Sequence, residues 1–331
     1  MKVLHIGKKG NMEKYSAPDS FLARLETADA YMGLAADEYI ALAGDADFIV
    51  ADAVGEVSGQ LIERMPNLKL IHSEGVAFNR IDIETARRRH VFVCNSRGMN
   101  ATAVAEQTIL LMLGMLRNVA GNDRAVREGR QIAVKERYMA DGDLRELADC
   151  AVGLVGFGDI AQATARLLRA HGVETICYYR RSPLSAPDEA ALGVSYRPLA
   201  ALLAESDIVS LHLPVSPETA GMADASFFGA MRNGAYFVNT SRGELVDDDA
   251  LIAALQSGRL AMAGLDTLNH EPVQPEHPLL RLPPETAARL LFSPHIGGIT
   301  ASSFRRSYAM IWEDIRAAAE GRTPKCVVNP W

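Results

Sequence analysis

Residues 151–161 read Ala-Val-Gly-Leu-Val-Gly-Phe-Gly-Asp-Ile-Ala. The first five predict a buried strand, and the next six match the G-x-G-x-x-A pattern where it would open a helix. The first glycine permits a tight turn, the second lets the backbone approach a pyrophosphate, and the final alanine allows close contact between helix and strand. An isolated glycine pattern is often only a turn. The flanking strand and helix instead favour a dinucleotide-binding loop, with contacts from Gly156, Phe157, Gly158, Asp159 and Ile160.

Short apolar strands alternate with helical stretches on both sides of this loop, which is typical of stacked βαβ units and parallel sheets. In the first hundred residues the pattern predicts strands at 2–6, 48–51, 68–72 and 91–94, and helices around 20–26, 58–64 and 83–89. Later it predicts six strands, enough for a full dinucleotide-binding sheet, at 151–155, 175–179, 208–213, 235–239, 261–265 and 290–292. The sequence therefore predicts an α/β protein with two doubly wound parallel-sheet domains.

Two long helices mark the division between these domains. Residues 101–118 predict an apolar helix at the crossing from the first domain to the second. Residues 302–320 predict a helix that comes too late for the second sheet and is free to return to the first domain. We therefore expect a discontinuous first domain at 1–99 plus 300–331 and a dinucleotide-binding Rossmann domain at 100–299.

Composition excludes several classes of protein. The 331 residues carry 34 basic and 41 acidic side chains, a formal charge of −7, which provides no positive field for nucleic acid or anionic lipid. The longest apolar run, 109–116, is far shorter than the roughly 20 residues that span a bilayer. No secretory signal is apparent, and the four scattered cysteines show no metal-type spacing. We predict a cytoplasmic protein with reduced thiols and without a metal, nucleic-acid or membrane partner.

The end of the second strand of the large domain bears on the choice of dinucleotide. An acidic residue about 20 positions beyond the glycine loop would bind the ribose 2′-hydroxyl of NAD. Tyr179 stands there, and Arg180 and Arg181 follow it directly. Two guanidinium groups would bind a 2′-phosphate, although a solvated surface pair is the alternative. We expect NADP as the preferred cofactor, with NAD as the second choice.

Several motifs follow one another along the chain in a fixed order. They are Gly75-Val76-Ala77-Phe78-Asn79-Arg80-Ile81-Asp82, Val104-Ala105-Glu106, the Gly156 loop, Leu211-His212-Leu213-Pro214, Asn239-Thr240-Ser241-Arg242-Gly243, Leu265-Asp266-Thr267 with Glu271-Pro272, and Ser293-Pro294-His295-Ile296-Gly297-Gly298. Together they resemble the D-isomer-specific 2-hydroxyacid dehydrogenases, essentially from end to end. The resemblance implies that Arg242, Glu271 and His295 are the catalytic residues, and that a smaller, flavodoxin-like domain binds the substrate.

The chemistry of 2-oxo acid reduction requires the same residue types. Arg242 suits a clamp for the substrate carboxylate, because its planar fork also polarises the carbonyl. His295 suits the proton donor, because imidazole titrates near neutral pH. Glu271 would orient the ring and favour its charged form. Taken singly, each residue has an ordinary structural explanation, but all three follow successive strands of one predicted sheet.

The resemblance also implies further contacts. For the cofactor these are Tyr179, Arg180, Arg181, His212, Leu213, Pro214, Thr219, Thr240, Ser241, Asp266, Gly297 and Gly298. Glu74, Gly75 and Val76 would join Arg242 in the substrate site, where backbone amides would bind the carboxylate. Asp266 would accept from the nicotinamide carboxamide. Ala77, Phe78 and the charge of Glu74 depart from the usual pattern of the family and leave the identity of the substrate open.

Other activities of the same fold are alternatives. Formate dehydrogenases pair the active-site histidine with glutamine, so Glu271 argues against them. A nucleotide-binding corepressor-like scaffold is weakened by the lack of a charge-patterned extension. Phosphoglycerate dehydrogenase-like activity is less favoured, because no second phosphate site stands out and no regulatory domain follows Trp331.

The resulting expectation is hydride transfer from NAD(P)H to a small 2-oxo acid, giving a D-2-hydroxy acid. Glyoxylate or hydroxypyruvate is the leading substrate, with selection by Asp52, Val54, Glu74 and Phe78. We expect closure at hinges near 99–101 and 298–301 to expel water. A homodimer through the cofactor domain is also expected, because the apolar 101–116 helix needs cover.

Overall fold

A computed structural model describes residues 1–19 and 21–330. The chain forms two compact units. One comprises Met1–Asn100 and Ile299–Trp331, and the other comprises Ala101–Gly298.

Parallel strands and helices alternate along the described chain. The strands are β1 (Lys2–Ile6), β2 (Glu26–Ala30), β3 (Phe48–Ala51), β4 (Leu70–Ser73), β5 (Phe92–Cys94), β6 (Val152–Val155), β7 (Ile176–Tyr179), β8 (Ser195–Tyr196), β9 (Ile208–Leu211), β10 (Ala235–Asn239), β11 (Leu260–Leu265) and β12 (Leu290–Phe292). The helices are α1 (Asn11–Tyr15), α2 (Ala36–Ala43), α3 (Gly59–Glu63), α4 (Ile83–Arg88), α5 (Ala101–Leu116), α6 (Val119–Arg127), α7 (Gln131–Asp141), α8 (Asp159–Ala170), α9 (Ala186–Leu192), α10 (Leu199–Glu205), α11 (Ala225–Ala230), α12 (Asp248–Gln256), α13 (Pro284–Ala287) and α14 (Ala301–Ala319).

The first unit contains a five-stranded parallel sheet in the order β2-β1-β3-β4-β5. This is the flavodoxin-like doubly wound order. Strands β3 and β4 are buried along their whole length, as expected for a parallel sheet covered on both faces. Helix α14 covers one face, where Tyr308, Ile311 and Ile315 pack in a core with the strand residues Val3 and Val50.

One part of the first unit was predicted wrongly. Of the helix predicted at 20–26, Ser20 lies outside the described residues, while Leu22–Arg24 forms a single 3-10 turn and Glu26 begins strand β2. The β2 sequence Glu-Thr-Ala-Asp-Ala lacks an apolar run, and only its last residue is buried. It becomes a strand because its backbone pairs in parallel with β1 at the sheet edge, a tertiary effect that the local sequence does not signal.

The second unit contains a seven-stranded parallel sheet in the order β12-β11-β10-β9-β6-β7-β8. The six predicted strands are present, and the short β8 at Ser195–Tyr196 adds a seventh at one edge. Strand order reverses at β6, which lies between β7 and β9. A doubly wound sheet binds its ligand beyond the carboxyl ends of the strands at such a switch point. The predicted fold class, two doubly wound parallel-sheet domains, is confirmed.

Helix α5 lies on the sheet of the second unit. It ends at Leu116, two residues earlier than predicted, and Asn118 adopts a left-handed conformation with φ 41° before α6 begins. Most of its apolar side chains are buried, and Gly264 on β11 lets Leu111 and Met115 approach the strand. Helices α6 and α7 were not predicted. No helix within residues 1–19 and 21–330 has the length and apolar character needed to cross a membrane.

Candidate active site

Three neighbouring strands bring the predicted catalytic residues to one edge of the large sheet. Strands β10, β11 and β12 lie side by side and run parallel, so their carboxyl ends share that edge. Arg242 follows β10, Glu271 follows β11 and His295 follows β12. The sequence prediction that these residues follow successive strands therefore matches the sheet order.

His295 and Glu271 form a direct pair. Nδ1 of the imidazole lies 2.5 Å from Oε2 of the carboxylate. The other oxygen, Oε1, accepts the Leu268 amide at 3.0 Å, which fixes the carboxylate relative to its own loop. An ionised carboxylate only accepts, so Nδ1 carries a proton and Nε2 is left to exchange one with a ligand. The histidine side chain is 45% exposed, so a ligand has access to the ring.

Asp266 organises the loop that carries this histidine. Its Oδ1 accepts the Ser293 hydroxyl and the Ile296 amide, and its Oδ2 accepts the Gly297 amide at 2.9 Å. The Asp266 backbone carbonyl also accepts the His295 amide at 2.8 Å. The histidine itself has a left-handed φ of 55°, so this loop needs such support. Both Asp266 oxygens are thus engaged within the protein, and its contact with a carboxamide stays a prediction.

Arg242 is exposed at the end of a turn held by Asn239. The Asn239 side chain accepts the Ser241 amide and donates to the Arg242 carbonyl at 2.8 Å. The guanidinium donates to the Ser241 carbonyl at 2.7 Å, which leaves other donors for a ligand. Asn239 belongs to one of the sequence motifs, but no role was predicted for it. A polar residue ending a buried strand is a signal that could have identified it.

Gly243 is a second contributor without a predicted role. A Cβ at this position would lie 1.9 Å from the carbonyl carbon of Leu268. The turn after Arg242 therefore packs directly on the backbone of the segment that leads to Glu271. Only glycine permits this approach, so Gly243 lets the loop that carries Arg242 pack against the loop that carries Glu271.

The glycine loop fits a dinucleotide. Gly156 has φ 89°, and a Cβ there would lie 2.4 Å from the His212 carbonyl oxygen. Gly158 borders open space, because a Cβ added there would have no atom within 4 Å, and it immediately precedes the 12-residue helix α8. Ala161 is fully buried against the sheet. Phe157 is also buried and packs on Tyr178, so it supports the loop from inside.

The residues predicted to bind the adenosine end lie at the end of β7. Tyr179 and Arg180 are half-buried and Arg181 is exposed. Among the hydrogen bonds and ion pairs of the described residues, none engages the guanidinium groups of Arg180 and Arg181. The Ser216 hydroxyl, chiefly, and more weakly Arg181 lower the pKa of Glu218, which places Arg181 near the loop after β9.

That loop begins with His212. Its buried Nδ1 atom has no hydrogen-bond partner among the described residues, while Nε2 lies 3.0 Å from the Ser210 hydroxyl. Burial lowers the pKa of His212 to about 3, so the ring is neutral at physiological pH. Thr219 closes the loop by donating to the Pro214 carbonyl at 2.8 Å. Leu213 is half-buried and packs against the hydrophobic core.

The hydroxyls of Thr240 and Ser241 bond within the protein. Thr240 pairs with the Thr108 hydroxyl at 2.9 Å, and Ser241 donates to the Leu211 carbonyl at 2.7 Å. Gly297 and Gly298 follow the histidine at the end of the second unit. Contacts of these residues with a cofactor stay predictions.

In the first unit, the expectation for Glu74 was wrong. Its side chain is almost fully buried, and the carboxylate accepts from His5 Nε2 at 3.0 Å and from the Tyr308 hydroxyl. Its amide donates to Ala51 and its carbonyl accepts from Ser307, so it has no free group for a substrate. The sequence placed the carboxylate correctly after β4 but did not reveal these inward partners.

The following segment, residues 75–77, has a backbone suited to an anion. Each carbonyl from Glu74 to Ala77 accepts a hydrogen bond from within the unit. The donors, in that order, are Ser307 Oγ at 2.5 Å, Ser96 N at 2.9 Å, Asn95 Nδ2 at 2.7 Å and Ser73 Oγ at 2.6 Å. Among the described residues, no acceptor takes the amides of Val76 and Ala77. These two amides are therefore available to a ligand.

A Rossmann sheet with a glycine loop at its switch point and a histidine–carboxylate pair at the same edge defines a dinucleotide-dependent oxidoreductase. Residues 109–297 match the family described as D-isomer specific 2-hydroxyacid dehydrogenase, NAD binding domain. The chain belongs to this family of NAD(P)-dependent enzymes, which act on the CH–OH group of 2-hydroxy acids.

Named relatives agree with this assignment. A glyoxylate reductase from Thermofilum pendens is 32% identical over 86% of this chain and 82% of its own length. A D-3-phosphoglycerate dehydrogenase from Mycobacterium tuberculosis is 32% identical over 88% of this chain but only 53% of its own length.

Solved structures show the same fold over the full chain. The apo D-mandelate dehydrogenase from Rhodotorula graminis has a TM-score of 0.83 at 27% identity and covers 99% of this chain and 97% of its own. The D-lactate dehydrogenase with NAD+ from Lactobacillus jensenii has a TM-score of 0.82 at 25% identity, with complete coverage of both chains.

Proposed function

We propose that the protein uses NADPH to reduce a small 2-oxo acid, either glyoxylate to the achiral glycolate or hydroxypyruvate to the D-2-hydroxy acid. The observation that carries this proposal is the 2.5 Å pair between His295 and Glu271 beside the cofactor sheet. A histidine held by a carboxylate is suited to giving a proton to a developing alkoxide and to taking one in the reverse direction. The similarity to a glyoxylate reductase supports the choice of a small oxo acid.

Each residue of the site has a distinct task in this proposal. Bound NADPH would supply the hydride, held by the loop at Gly156 and Gly158. Arg242 would bind the carboxylate and polarise the carbonyl, because its outer guanidinium donors are exposed. His295 would deliver the proton from Nε2, and Glu271 would hold the ring. In the first unit, the free amides of Val76 and Ala77 would bind a carboxylate oxygen.

The cofactor preference rests on the arginines after β7. Tyr179 stands where an acidic residue would bind the ribose 2′-hydroxyl of NAD, so no carboxylate would repel a 2′-phosphate there. The guanidinium groups of Arg180 and Arg181 lack partners among the described residues. A charge-assisted hydrogen bond contributes roughly 1.5–3 kcal/mol, so one contact to a 2′-phosphate shifts preference by about tenfold to a hundredfold.

The test is the decrease in absorbance of reduced nicotinamide with NADPH and NADH in parallel. The oxo-acid panel is glyoxylate, hydroxypyruvate, pyruvate and phenylpyruvate. Oxidation of D-3-phosphoglycerate is assayed in the reverse direction, as the increase in absorbance when the oxidised cofactor is reduced. Turnover of glyoxylate or hydroxypyruvate that is lost in Arg242→Ala and His295→Ala supports the proposal. Tight cofactor binding without turnover of any acid would contradict it and favour a scaffold role.

Two further variants test the cofactor preference. Arg180→Ser with Arg181→Ser should raise the KM for NADPH about tenfold to a hundredfold and leave that for NADH nearly unchanged. Arg166→Ser is the matched control, because Arg166 is an exposed arginine on helix α8 of the same unit. An equal effect on both cofactors would reject the 2′-phosphate assignment.

A second candidate substrate is D-3-phosphoglycerate, which the name of the Mycobacterium tuberculosis relative suggests. This chain spans about half of that relative, so the comparison supports the candidate only for the shared region. Oxidation of D-3-phosphoglycerate with no reduction of glyoxylate or hydroxypyruvate would establish it instead.

The proposal also includes a cytoplasmic homodimer that pairs through the second unit. All four cysteines are free and three of them are buried, which suits a reducing compartment. The apolar surface expected on α5 is mostly covered within its own unit, with Leu110 as the exception at 59% exposure. Instead α6 and α7 expose Val126 and Met139 at an apolar groove, and Ile132 on α7 is exposed as well. We assign this α6–α7 face to the partner copy.

A further inference from the structure

We infer that His5 is a positioning residue for substrate binding. Held between the carboxylates of Asp29 and Glu74, it keeps segment 75–77 in the shape that presents its amides to the oxo-acid carboxylate. This inference rests on the proposed function, and it concerns a residue that does not itself touch the substrate.

His5 is completely buried in β1 and bonds through both ring nitrogens. Nδ1 lies 2.5 Å from Asp29 Oδ1 on the neighbouring strand β2, and Nε2 lies 3.0 Å from Glu74 Oε1 after β4. Ionised carboxylate oxygens accept only, so the ring satisfies both of them only when both nitrogens carry protons. The geometry therefore holds an imidazolium between two carboxylates, in a place where an unpaired charge would be costly.

The hydrogen-bonded group Asp29–His5–Glu74, called the clamp below, reaches segment 75–77 through Glu74. The Tyr308 hydroxyl on α14 donates to the same carboxylate, and the neighbouring Ser307 donates to the Glu74 carbonyl. Glu74 is therefore fixed at its side chain and its backbone, one residue before the segment begins. Gly75 has no room to shift inward, because even a Cβ there would lie 2.7 Å from the Ala53 side chain. Loss of the charge on Glu74 would loosen the anchor from which the free amides are presented.

The titratable groups that act directly on the ring are Glu74 after β4 and Asp29 from β2. Tyr308 from α14 bonds to Glu74, and the charge of Asp52 after β3 acts on Tyr308. Burial alone would lower the pKa of His5, but the bonds and charges of Glu74 and Asp29 outweigh it and raise the pKa. The clamp is thus complete below the ordinary histidine pKa and is lost as pH rises through the raised value.

The experiment measures steady-state kinetics of the full-length protein with glyoxylate and NADPH, for wild type, Glu74→Gln and Tyr308→Phe. Both variants keep the size of the side chain and weaken the clamp. The KM for glyoxylate should rise about tenfold, as expected for one poorly placed hydrogen bond, while kcat and the KM for NADPH stay within about twofold. Asp314→Asn is the matched control, because Asp314 is a buried carboxylate that pairs with His72 in the same unit. It should lower thermal stability without changing the KM for glyoxylate.

A second readout is independent of turnover. Ring-nitrogen NMR of histidine-labelled protein, with the signal assigned through its loss in His5→Gln, should show that His5 stays doubly protonated to a higher pH than an ordinary histidine. Its deprotonation should move to lower pH in Glu74→Gln. The KM of the wild type should rise over the pH range in which this signal is lost.

The outcomes separate the two proposals. Unchanged KM values in folded Glu74→Gln and Tyr308→Phe, or a fall in kcat instead, overturn the positioning role and leave the proposed reaction intact. Deprotonation of the His5 ring at or below the ordinary histidine pKa also overturns it. Absence of turnover in the wild type overturns the proposed function and the positioning role with it.

Discussion

The Nδ1 atom of His295 lies 2.5 Å from Glu271 Oε2, while the backbone of the same histidine is tied to Asp266. His295 is therefore fixed at its ring by the Glu271 side chain and at its backbone by the Asp266 carbonyl, and both of these residues follow β11. Because Nδ1 bonds to Glu271, Nε2 is the ring nitrogen left to exchange a proton with a ligand.

Removal of this pair should stop catalysis without unfolding the protein. His295→Ala should lower kcat by about 10²- to 10⁴-fold, the usual contribution of a general acid. Glu271→Gln should cause a smaller loss, because the amide still reaches the ring but no longer carries a charge. Both are measured as NADPH oxidation with the preferred oxo acid. His171→Ala, at an exposed site after α8, is the control and should keep wild-type kcat. Full activity in His295→Ala would reject its role as the acid.

The two glycines of the nucleotide loop should respond differently to the same substitution. Gly158→Ala should fold normally, because its Cβ meets open space, but should raise the KM for the cofactor by blocking close approach of the pyrophosphate. Gly156→Ala should be destabilised, because φ is 89° and the Cβ would lie 2.4 Å from the His212 carbonyl. Thermal unfolding and cofactor titration separate the two effects. Unaltered cofactor affinity in Gly158→Ala would show that phosphate does not bind there.

Gly243→Ala should separate the two catalytic loops. The new Cβ would overlap the backbone of Leu268, at 1.9 Å, so the Arg242 turn and the segment before Glu271 must move apart. We expect a loss of about 1–3 kcal/mol in the free energy of unfolding and a fall in kcat. Gly229→Ala is the matched control, because Gly229 lies in α11 with nothing within 4 Å of the added Cβ. It should be neutral or stabilise by about 0.4–1 kcal/mol. Equal activities of the two variants would contradict the proposed contact.

The sequence predicted most of the large sheet because parallel strands covered on both faces are continuous apolar runs. Strands β10 and β12 were predicted to the residue, and β6 and β7 to within one residue. Strand β2 was missed because its polar sequence carries no such run, and it exists only through pairing with β1. Helices α6 and α7 were missed because their apolar residues face outwards, as the exposure of Met139 shows.

In the candidate site too, the features that follow from local sequence were predicted, and those that depend on long-range contacts were not. The resemblance to the family pointed to Arg242, Glu271 and His295, and the sequence pattern correctly placed each of them after a strand end. The inward turn of Glu74 was not predicted, because its partners His5 and Tyr308 lie 69 and 234 residues away along the chain. Local pattern holds no information on contacts of that range. Gly243 was likewise visible as a glycine, but the backbone that it touches was not.

Acid should weaken the fold through His212. Burial lowers its pKa to about 3, whereas the unfolded chain binds a proton near the ordinary histidine value. Between these values the unfolded state holds the extra proton, so this group's contribution to stability is present at neutral pH and lost as pH falls. The free energy of unfolding should lose about 1.4 kcal/mol per pH unit from this group. Denaturant titrations without cofactor, compared with His212→Gln, isolate the effect. His171→Gln, at an exposed site, should keep the wild-type slope, and an equal slope in His212→Gln would reject the assignment.

A charge on the α6–α7 face should dissociate the proposed dimer. Met139 is 75% exposed on α7 beside the apolar groove, so in a dimer Met139→Glu would place an unpaired carboxylate in the interface. Sedimentation velocity should show a dimer for the wild type and a monomer for the variant. Leu42→Glu is the control, because Leu42 is 45% exposed on α2 of the first unit, and it should remain dimeric. A monomeric wild type, or a dimeric Met139→Glu, would contradict assignment of this face to a partner copy. Since the catalytic pair forms within one chain, kcat of the monomeric variant should stay near that of the wild type if the two active sites are independent.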